Sequence, residues 1–324
     1  MSILITGGLG YIGSHIARLL KKKSVIIDNQ SNSLLNFKQY LPDATVYLSD
    51  LNKANLEKVF KKHDIKGVIH LAGLKASNES VSNPLKYYEN NIGSSMVLLK
   101  AMDKFKINKL IFSSSATVYG DQHSSPLRED MTLQSVNPYG STKIIIEQLI
   151  SDYAKSNSRF CALSLRYFNP LGADVKTGLV DQPLGEPQNL MPILVRSAHK
   201  KKIIKIYGSD YPTPDGTCIR DYIHVKDLSA AHVLAFKRLH QFKGHRAINL
   251  GLGKGASVLE IIRLFEKVNG IKARYQIAAR RKGDAAISFA SNQLAKKLLG
   301  WRPLFNYENM VRDAWSSYIN QTYK

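Results

Sequence analysis

The stretch NPYGSTKIIIEQ, residues 137–148, sets Tyr139 and Lys143 four positions apart where an apolar helical pattern begins. One helical turn places both side chains on the same face, and the chemistry open to them is proton transfer through a phenol. A phenol of pKa ~10 is a poor base at neutral pH unless its anion is stabilised. Bringing it near 7 takes roughly 4 kcal/mol, and one ammonium at ~4 Å supplies on the order of 4 kcal/mol at an effective dielectric of ~20. Ser115 closes the run KLIFSSS 24 residues before Tyr139 and offers a hydroxyl as hydrogen-bond donor or proton shuttle. Spacing alone decides nothing in a chain with 16 tyrosines and 46 Lys and Arg, since Tyr222 and Lys226 in DYIHVKD repeat it. That second pair has no serine-bearing strand before it and reads as a loop and cap ahead of a helix beginning near Leu228. Glu147, one turn beyond Lys143, leaves open a plain surface ion pair.

At the N-terminus, ITGGLGYIG puts Gly7, Gly10 and Gly13 between an apolar strand and a helix. Such a turn brings backbone N–H groups to a pyrophosphate at the positive end of the helix, although the spacing is G-x-x-G-x-x-G and not the commoner G-x-G-x-x-G. The next strand, SVIID, ends in Asp28, close to the offset at which a carboxylate receives a ribose hydroxyl. That acid would repel a 2′-phosphate, so NAD is favoured over NADP; its alternative is a strand-end turn residue. A later GLGKG, residues 251–255, is expected to be a turn into a helix that Ser257 caps.

These groups need a scaffold, and the first half alternates short strands with helices. SILITG, SVIID, ATVYLSD, GVIHLAG, KLIFSSS and CALSLRY read as strands, separated by helical stretches that include NNIGSSMVLLKAMDKF and STKIIIEQLISDYAK. Nearly continuous apolar strands between helices imply a parallel sheet covered on both faces. The expected fold class is α/β, a Rossmann-type doubly wound parallel sheet over residues 1–169 with a smaller α/β substrate-binding domain over 170–324, some of whose segments return to the first. The 324 residues suffice for one large or two modest cores. No apolar run approaches the ~20 residues of a membrane span, and the start lacks the pattern of a signal peptide, so the cytoplasm is expected. Cys161 and Cys218 are too far apart for a C-x-x-C, and no His pairs with Glu or Cys at metal-ligand spacing; neither a disulfide nor a metal is expected. The net charge of +21 comes from short, scattered clusters such as Lys200 to Lys202 and Arg280 to Lys282. That distribution reads as a lysine-rich surface rather than a nucleic-acid or membrane site.

TGGLGYIGSH, HLAGLKASNESVSNPLKYYENN, FSSSATVYGD, NPYGSTK, LRYFNPLGA, DGTCIRDYIHVKDL and ARRKGD occur in this order over essentially the whole chain. Together they resemble the UDP-hexose 4-epimerase branch of the extended short-chain dehydrogenase/reductase family. The resemblance implies a tightly bound NAD, reduced and reoxidised in each turnover, and a UDP-sugar that passes through a 4-keto form. Catalysis would fall to Ser115, Tyr139 and Lys143. The cofactor would be held by Gly7, Gly10, Tyr11, Ile12, Gly13, Asp28, Asn29, Asn32, Asp50 and Leu51, and further by Leu71, Ala72, Gly73, Lys75, Asn91, Ser113, Tyr139, Lys143 and Phe168. Asp50 would contact adenine, its alternative being a helix N-cap for the segment that follows. The UDP-sugar would meet Lys75, Ser115, Tyr139, Asn169, Asn189, Leu190, Lys205, Ile206, Tyr207, Arg220, Arg281, Asp284 and Ser288. Ser288 stands where some members carry a bulky tyrosine, which leaves room for a 2-acetamido group and implies interconversion of UDP-N-acetylglucosamine and UDP-N-acetylgalactosamine as well. The family usually forms homodimers through two long helices per subunit. Leu71 stands where an aromatic is common, which alters packing rather than chemistry.

Two other activities compete. A nucleotide-sugar 4,6-dehydratase of the same fold would need acids directly after Ser115, where Ala116 and Thr117 stand. A non-catalytic NAD-sensing or nucleic-acid-binding protein would have no use for Ser115, Tyr139 and Lys143 together.

Overall fold

The computed structural model describes residues 2–33, 35–121, 123–281 and 284–322; Lys282 of the basic cluster lies outside them. The chain forms two compact units, one of Met1–Val118, Thr132–Arg166 and Ser229–Ile248, the other of Tyr119–Met131, Tyr167–Leu228 and Asn249–Lys324.

The first unit takes six strands from the first half of the chain, β1 (Ser2–Thr6), β2 (Ser24–Asp28), β3 (Thr45–Leu48), β4 (Ile65–His70), β5 (Lys109–Ser115) and β6 (Cys161–Tyr167). Helices α1 (Tyr11–Leu20), α2 (Phe37–Tyr40), α3 (Leu56–Lys62), α4 (Ser77–Ser82), α5 (Pro84–Tyr87), α6 (Gly93–Lys104) and α7 (Pro138–Ser156) connect them. The remaining strands are β7 (Asn169–Leu171), β8 (Ala173–Asp174), β9 (Leu179–Val180), β10 (Ile204–Tyr207), β11 (Ile219–Arg220), β12 (Tyr222–His224), β13 (Gly244–Leu250), β14 (Ala256–Ser257), β15 (Tyr275–Ala278) and β16 (Ile287–Ser288). The remaining helices are α8 (Leu190–His199), α9 (Val225–Arg238), α10 (Val258–Asn269) and α11 (Tyr307–Thr322).

Seven strands form the main sheet in the order β13-β6-β5-β4-β1-β2-β3, a Rossmann-type arrangement. β1 pairs in parallel with β2 on one side and β4 on the other, so the strand order reverses at β1. The crevice beyond the carboxyl ends at such a reversal is where this architecture binds ligands. Strands β1, β2, β4, β5 and β6 are buried on both faces, which is why their sequences are apolar runs and not alternating ones. Leu4, Val25, Val68, Leu110 and Phe112 pack with Leu98 and Met102 of α6 and Ile146 and Ile150 of α7. Each fully buried aliphatic side chain contributes about 1.5–3 kcal/mol, so α7 is held against β5 independently of any ligand.

In the second unit the sheets are small: β7 pairs with β12, β10 with β15, and β11 with both β14 and β16. Leu171, Met191, Leu194, Ile204, Ile206, Ile262, Phe265 and Met310 form its core. As expected, Ser257 caps α10, in a capping box with Glu260, and Gly270 ends the helix in the left-handed conformation at φ 66°.

Candidate functional site

The glycine turn combines two kinds of glycine. Gly7 has φ +71°, and a Cβ there would lie 2.7 Å from the Ala72 amide nitrogen; one on Gly13 would collide with the Gly7 carbonyl oxygen. Both are required by the turn itself. At Gly10, the N-cap of α1, a Cβ would meet only the Gly7 carbonyl oxygen at 3.4 Å, so the turn itself does not require glycine there. The first turn of α1 carries no acid. A helix N-terminus whose own first turn holds no acid and whose Gly10 carries no side chain fits a pyrophosphate. Asp28, at the end of β2, accepts the Leu9 N–H at 2.9 Å and the Gln30 N–H at 2.7 Å. It therefore ties the glycine turn to the next strand whether or not it meets a ribose. Burial pushes its carboxyl up, against the hydrogen bonds from Leu9, Gln30 and Gly10 that favour the anion. Asp50 accepts from Asn29 at 2.9 Å, while α3 is capped by Asn55, so the N-cap alternative for Asp50 is corrected. Leu51 lies in the first core.

Leu71 to Gly73 follow β4, and Gly73 packs against Asn91, which lies in a π-helical turn spanning Tyr88–Ile92. The Asn91 amide accepts from the Leu74 N–H at 2.7 Å and donates to the Leu74 carbonyl and the Thr142 hydroxyl, both at 3.1 Å. Both amide hydrogens are thus engaged within the chain, so Asn91 ties the Leu71–Lys75 loop to α7. Lys75 is exposed.

Tyr139 and Lys143 open α7, whose N-cap Asn137 accepts from the Gly140 N–H at 2.9 Å and whose first helical residue is Pro138. The residues themselves are nearly buried, with Tyr139 7% exposed, Lys143 5% and Ser115 8%. The Lys143 ammonium donates to the Ser113 carbonyl at 2.8 Å and lies 5.8 Å from the centre of the Tyr139 ring. Burial pulls its pKa down to about 8, and Glu147 pulls the other way. Ser115 accepts from the Thr117 N–H at 3.2 Å and the Thr117 hydroxyl at 3.0 Å. With both lone-pair regions engaged, its own O–H is the donor that remains. The recurrent pair behaves differently. Tyr222 lies on β12 and Lys226 in the first turn of α9, where its ammonium sits 4.9 Å from the Phe305 ring. A strand running straight into a helix replaces the expected loop and cap, and the two residues share no helical face.

In the second unit, Arg220 forms an ion pair with Asp284 at 3.6 Å and donates to the Ala285 carbonyl at 2.7 Å. Arg281 stacks 3.8 Å from the centre of the Tyr207 ring, and Arg280 stacks 4.2 Å from Tyr211. Asn189 sits at the N-cap of α8, directly before Leu190, without spending its side chain on the cap. Lys205 is exposed on β10. Ile206, by contrast, is buried in the second core, leaving only its backbone to meet a ligand. Phe168 is also buried. Arg220 and Ser288 are register partners in β11 and β16, and Asn169 faces Tyr222 across β7 and β12.

Three pairings escaped the sequence. Glu147 is buried, and it pairs with Arg166 and not with Lys143 at the surface. Asp221 accepts from Leu252, Gly253 and Ala290 N–H groups at 2.8, 3.0 and 3.1 Å. The amides of the second glycine loop are thereby turned onto a carboxylate of the chain itself, as the Leu9 and Gly10 amides of the first are turned onto Asp28. Finally, His70 bridges Thr6 at 2.6 Å and Ser95 at 3.0 Å. Ser95 donates to the Asn91 carbonyl, which assigns the His70 proton to Nε2. A polar residue inside each of these elements was the available signal, but its partner is distant in sequence in every case. Among the described residues no group of His, Cys, Asp or Glu is arranged to hold a metal ion.

A UDP-glucose 4-epimerase from Dictyostelium discoideum is 45% identical over 97% of this chain and 94% of its own length. A crystal structure of UDP-glucose-4-epimerase from Stenotrophomonas maltophila, with bound NAD and formylated UDP-arabinopyranose, superposes with a TM-score of 0.95 at 39% identity, covering 100% of this chain and 99% of that one. The UDP-Glc/GlcNAc 4-epimerase of Campylobacter jejuni gives a TM-score of 0.84 at 32% identity over 98% and 99% of the two chains. The model of the NAD dependent epimerase/dehydratase family matches residues 3–251. With the glycine turn, the reversed strand order and this match in agreement, the chain belongs to the NAD dependent epimerase/dehydratase family.

Proposed function

We infer that this chain interconverts UDP-hexoses by NAD-dependent 4-epimerisation, with Ser115, Tyr139 and Lys143 as its catalytic residues. The observation that carries the mechanism is Lys143, a buried ammonium one turn from Tyr139 and anchored on the Ser113 carbonyl, two residues from Ser115. Gly7, Gly10, Tyr11, Ile12 and Gly13 would hold the cofactor pyrophosphate, and Asp28, Asn29, Asn32, Asp50 and Leu51 its adenosine. Leu71 to Gly73, Lys75, Asn91, Ser113 and Phe168 would lie toward the nicotinamide. When bound, NAD supplies a reversible hydride acceptor for the sugar C4.

Tyr139 takes the proton of the 4-hydroxyl, and Lys143 stabilises the phenolate that makes this possible at neutral pH. Ser115 donates to the C4 oxygen as it becomes a carbonyl. Planar C4 retains no configuration, so the sugar can be restored with either one if its ring turns in the site. Tyr139 returns the proton to the C4 oxygen. Epimerisation thus asks the chain to grip UDP firmly and the hexose loosely. Arg220 and Arg281 suit the diphosphate, since a guanidinium fork binds two oxygens at once, and Asn169, Asn189, Leu190, Lys205, Ile206, Tyr207 and Asp284 complete the proposed UDP-sugar side. On this reading the cofactor belongs to the first unit and the UDP-sugar chiefly to the second.

The small Ser288 supports extension to the 2-acetamido pair. Met96 on α6 and Ile145 on α7 are each 41% exposed, which supports a homodimer formed through these helices. Among the described residues no helix is long and apolar enough to cross a membrane. Both cysteines are free thiols, in keeping with the cytoplasm as the proposed compartment.

Purified protein incubated with UDP-galactose or UDP-N-acetylgalactosamine, with no NAD added, is expected to form the gluco epimer of each. No product from either sugar, even after NAD is supplied, would sink the reading.

A further inference from the structure

Behind the Tyr139–Lys143 turn, the molecule buries a second pair of charges that the reaction does not use. Arg166, on β6, donates to Glu147 in a fork, with Nε at 3.0 Å from Oε1 and Nη2 at 2.6 Å from Oε2. Ser114, on β5, donates to the same Oε1 at 2.5 Å. Both charged side chains are 5% exposed. An ion pair at this depth is weak evidence for stability by itself, because the desolvation of two charges offsets their attraction. Its place in the fold is more telling. Glu147 lies one turn after Lys143 on the same face of α7, and Ser114 lies between Ser113, which anchors Lys143, and Ser115.

We propose that Glu147, clamped by Arg166 and Ser114, is a positioning residue that bolts the Tyr139–Lys143 turn to β5 and supplies the negative charge that keeps Lys143 cationic. This rests on the 4-epimerase reading. The charged and titratable groups packed around Lys143 leave Glu147 in that role. His70, facing it from β4, is held neutral by burial down to about pH 3. His245, on β13 and bonded to Ser164 at 2.7 Å, is likewise kept below its ordinary range by burial. Tyr139 and Lys143 are the working pair, and Arg166 is engaged by Glu147. Removing the carboxylate charge therefore favours proton loss from both Tyr139 and Lys143.

Glu147→Gln is expected to carry the whole bell-shaped pH profile of kcat to lower pH, by about one pH unit. The double variant Glu147→Gln/Arg166→Met also removes the opposing cation but still lacks the carboxylate beside Lys143, so its profile moves back only part of the way. A role in stability alone would lower Tm in both variants and leave both profiles unmoved, and that result overturns the proposal. If Glu147→Gln does not fold, Ser114→Ala tests the mechanical joint: kcat falls about fivefold with KM unchanged, as the loss of one hydrogen bond predicts, and an unchanged kcat overturns it. The phenolate of Tyr139 is also titrated directly by near-ultraviolet absorbance, as the difference between each protein and its Tyr139→Phe derivative. If wild type turns over no UDP-hexose but this titration moves with Glu147, the activity fails and the inference stands. An active enzyme whose titration ignores Glu147 keeps the activity and loses the inference.

Discussion

Burial acts on Tyr139 and Lys143 through their environment and not through their spacing alone. Lys143 sits close to its working limit, its pKa brought down to about 8 by burial, so its charge is available at neutral pH and is lost under mildly alkaline conditions. Tyr139→Phe retains the ring and deletes the acid–base group, and turnover should fall about 10²–10⁴-fold. UDP binding measured by calorimetry should be unaffected, because the phenol hydroxyl makes no diphosphate contact in the proposed mode. Ser288→Tyr is expected to depress kcat/KM for the acetamido sugars selectively. Equal losses for both sugar pairs in a side-by-side assay would refute Ser288 as the residue that admits the larger group.

At the scale of elements, the glycine turn and the Asp221 clamp make contrasting predictions. Gly13→Ala forces a methyl against the Gly7 carbonyl and should lower stability by about 1–3 kcal/mol, read as a drop in Tm. Gly10→Ala meets only the Gly7 carbonyl oxygen, at an ordinary contact distance of 3.4 Å, and should leave the Tm of the cofactor-free protein unchanged while reducing the NAD that copurifies. Asp221 is nearly enclosed, and burial pushes its carboxyl up to about 7 against three backbone N–H donors. Between its ordinary value of 3.8 and about 7, the folded chain therefore binds more protons than the unfolded one. The stability it contributes is fully present below that window and is lost as pH rises through it. Asp221→Asn, which cannot ionise, should flatten this part of the Tm-versus-pH curve; a curve parallel to wild type would show that the carboxyl titrates normally.

For the molecule as a whole, the net charge of +21 predicts long-range attraction of a doubly charged nucleotide diphosphate. Raising ionic strength shortens the screening length from ~10 Å at 0.1 M toward ~3 Å at 1 M. kcat/KM for UDP-galactose should accordingly fall with salt while kcat stays level. A salt-independent kcat/KM would mean that the scattered lysines do not act on the substrate at all.

What could be read in advance was local: apolar runs marking β1 to β6, the glycine turn, Ser257 as a cap, and Tyr139 with Lys143 one turn apart. Each depends on residues within about two turns or one strand of each other, where backbone geometry converts spacing directly into position. Tertiary structure decided the rest. Glu147 was free in sequence to pair with Lys143, yet Arg166, 19 residues away, takes it, because β6 passes under α7 and a buried carboxylate takes the donor that can fork onto it. The two glycine loops look alike in the chain, and folding turns amides of both onto carboxylates, Asp221 at one and Asp28 at the other, but Ser257 and Glu260 close the N-terminus of α10 in a capping box while that of α1 has no side-chain cap. β13 likewise joins the main sheet beside β6. Sequence settles which groups are able to do chemistry; their surroundings, assembled from distant segments, settle which of them are left free to do it.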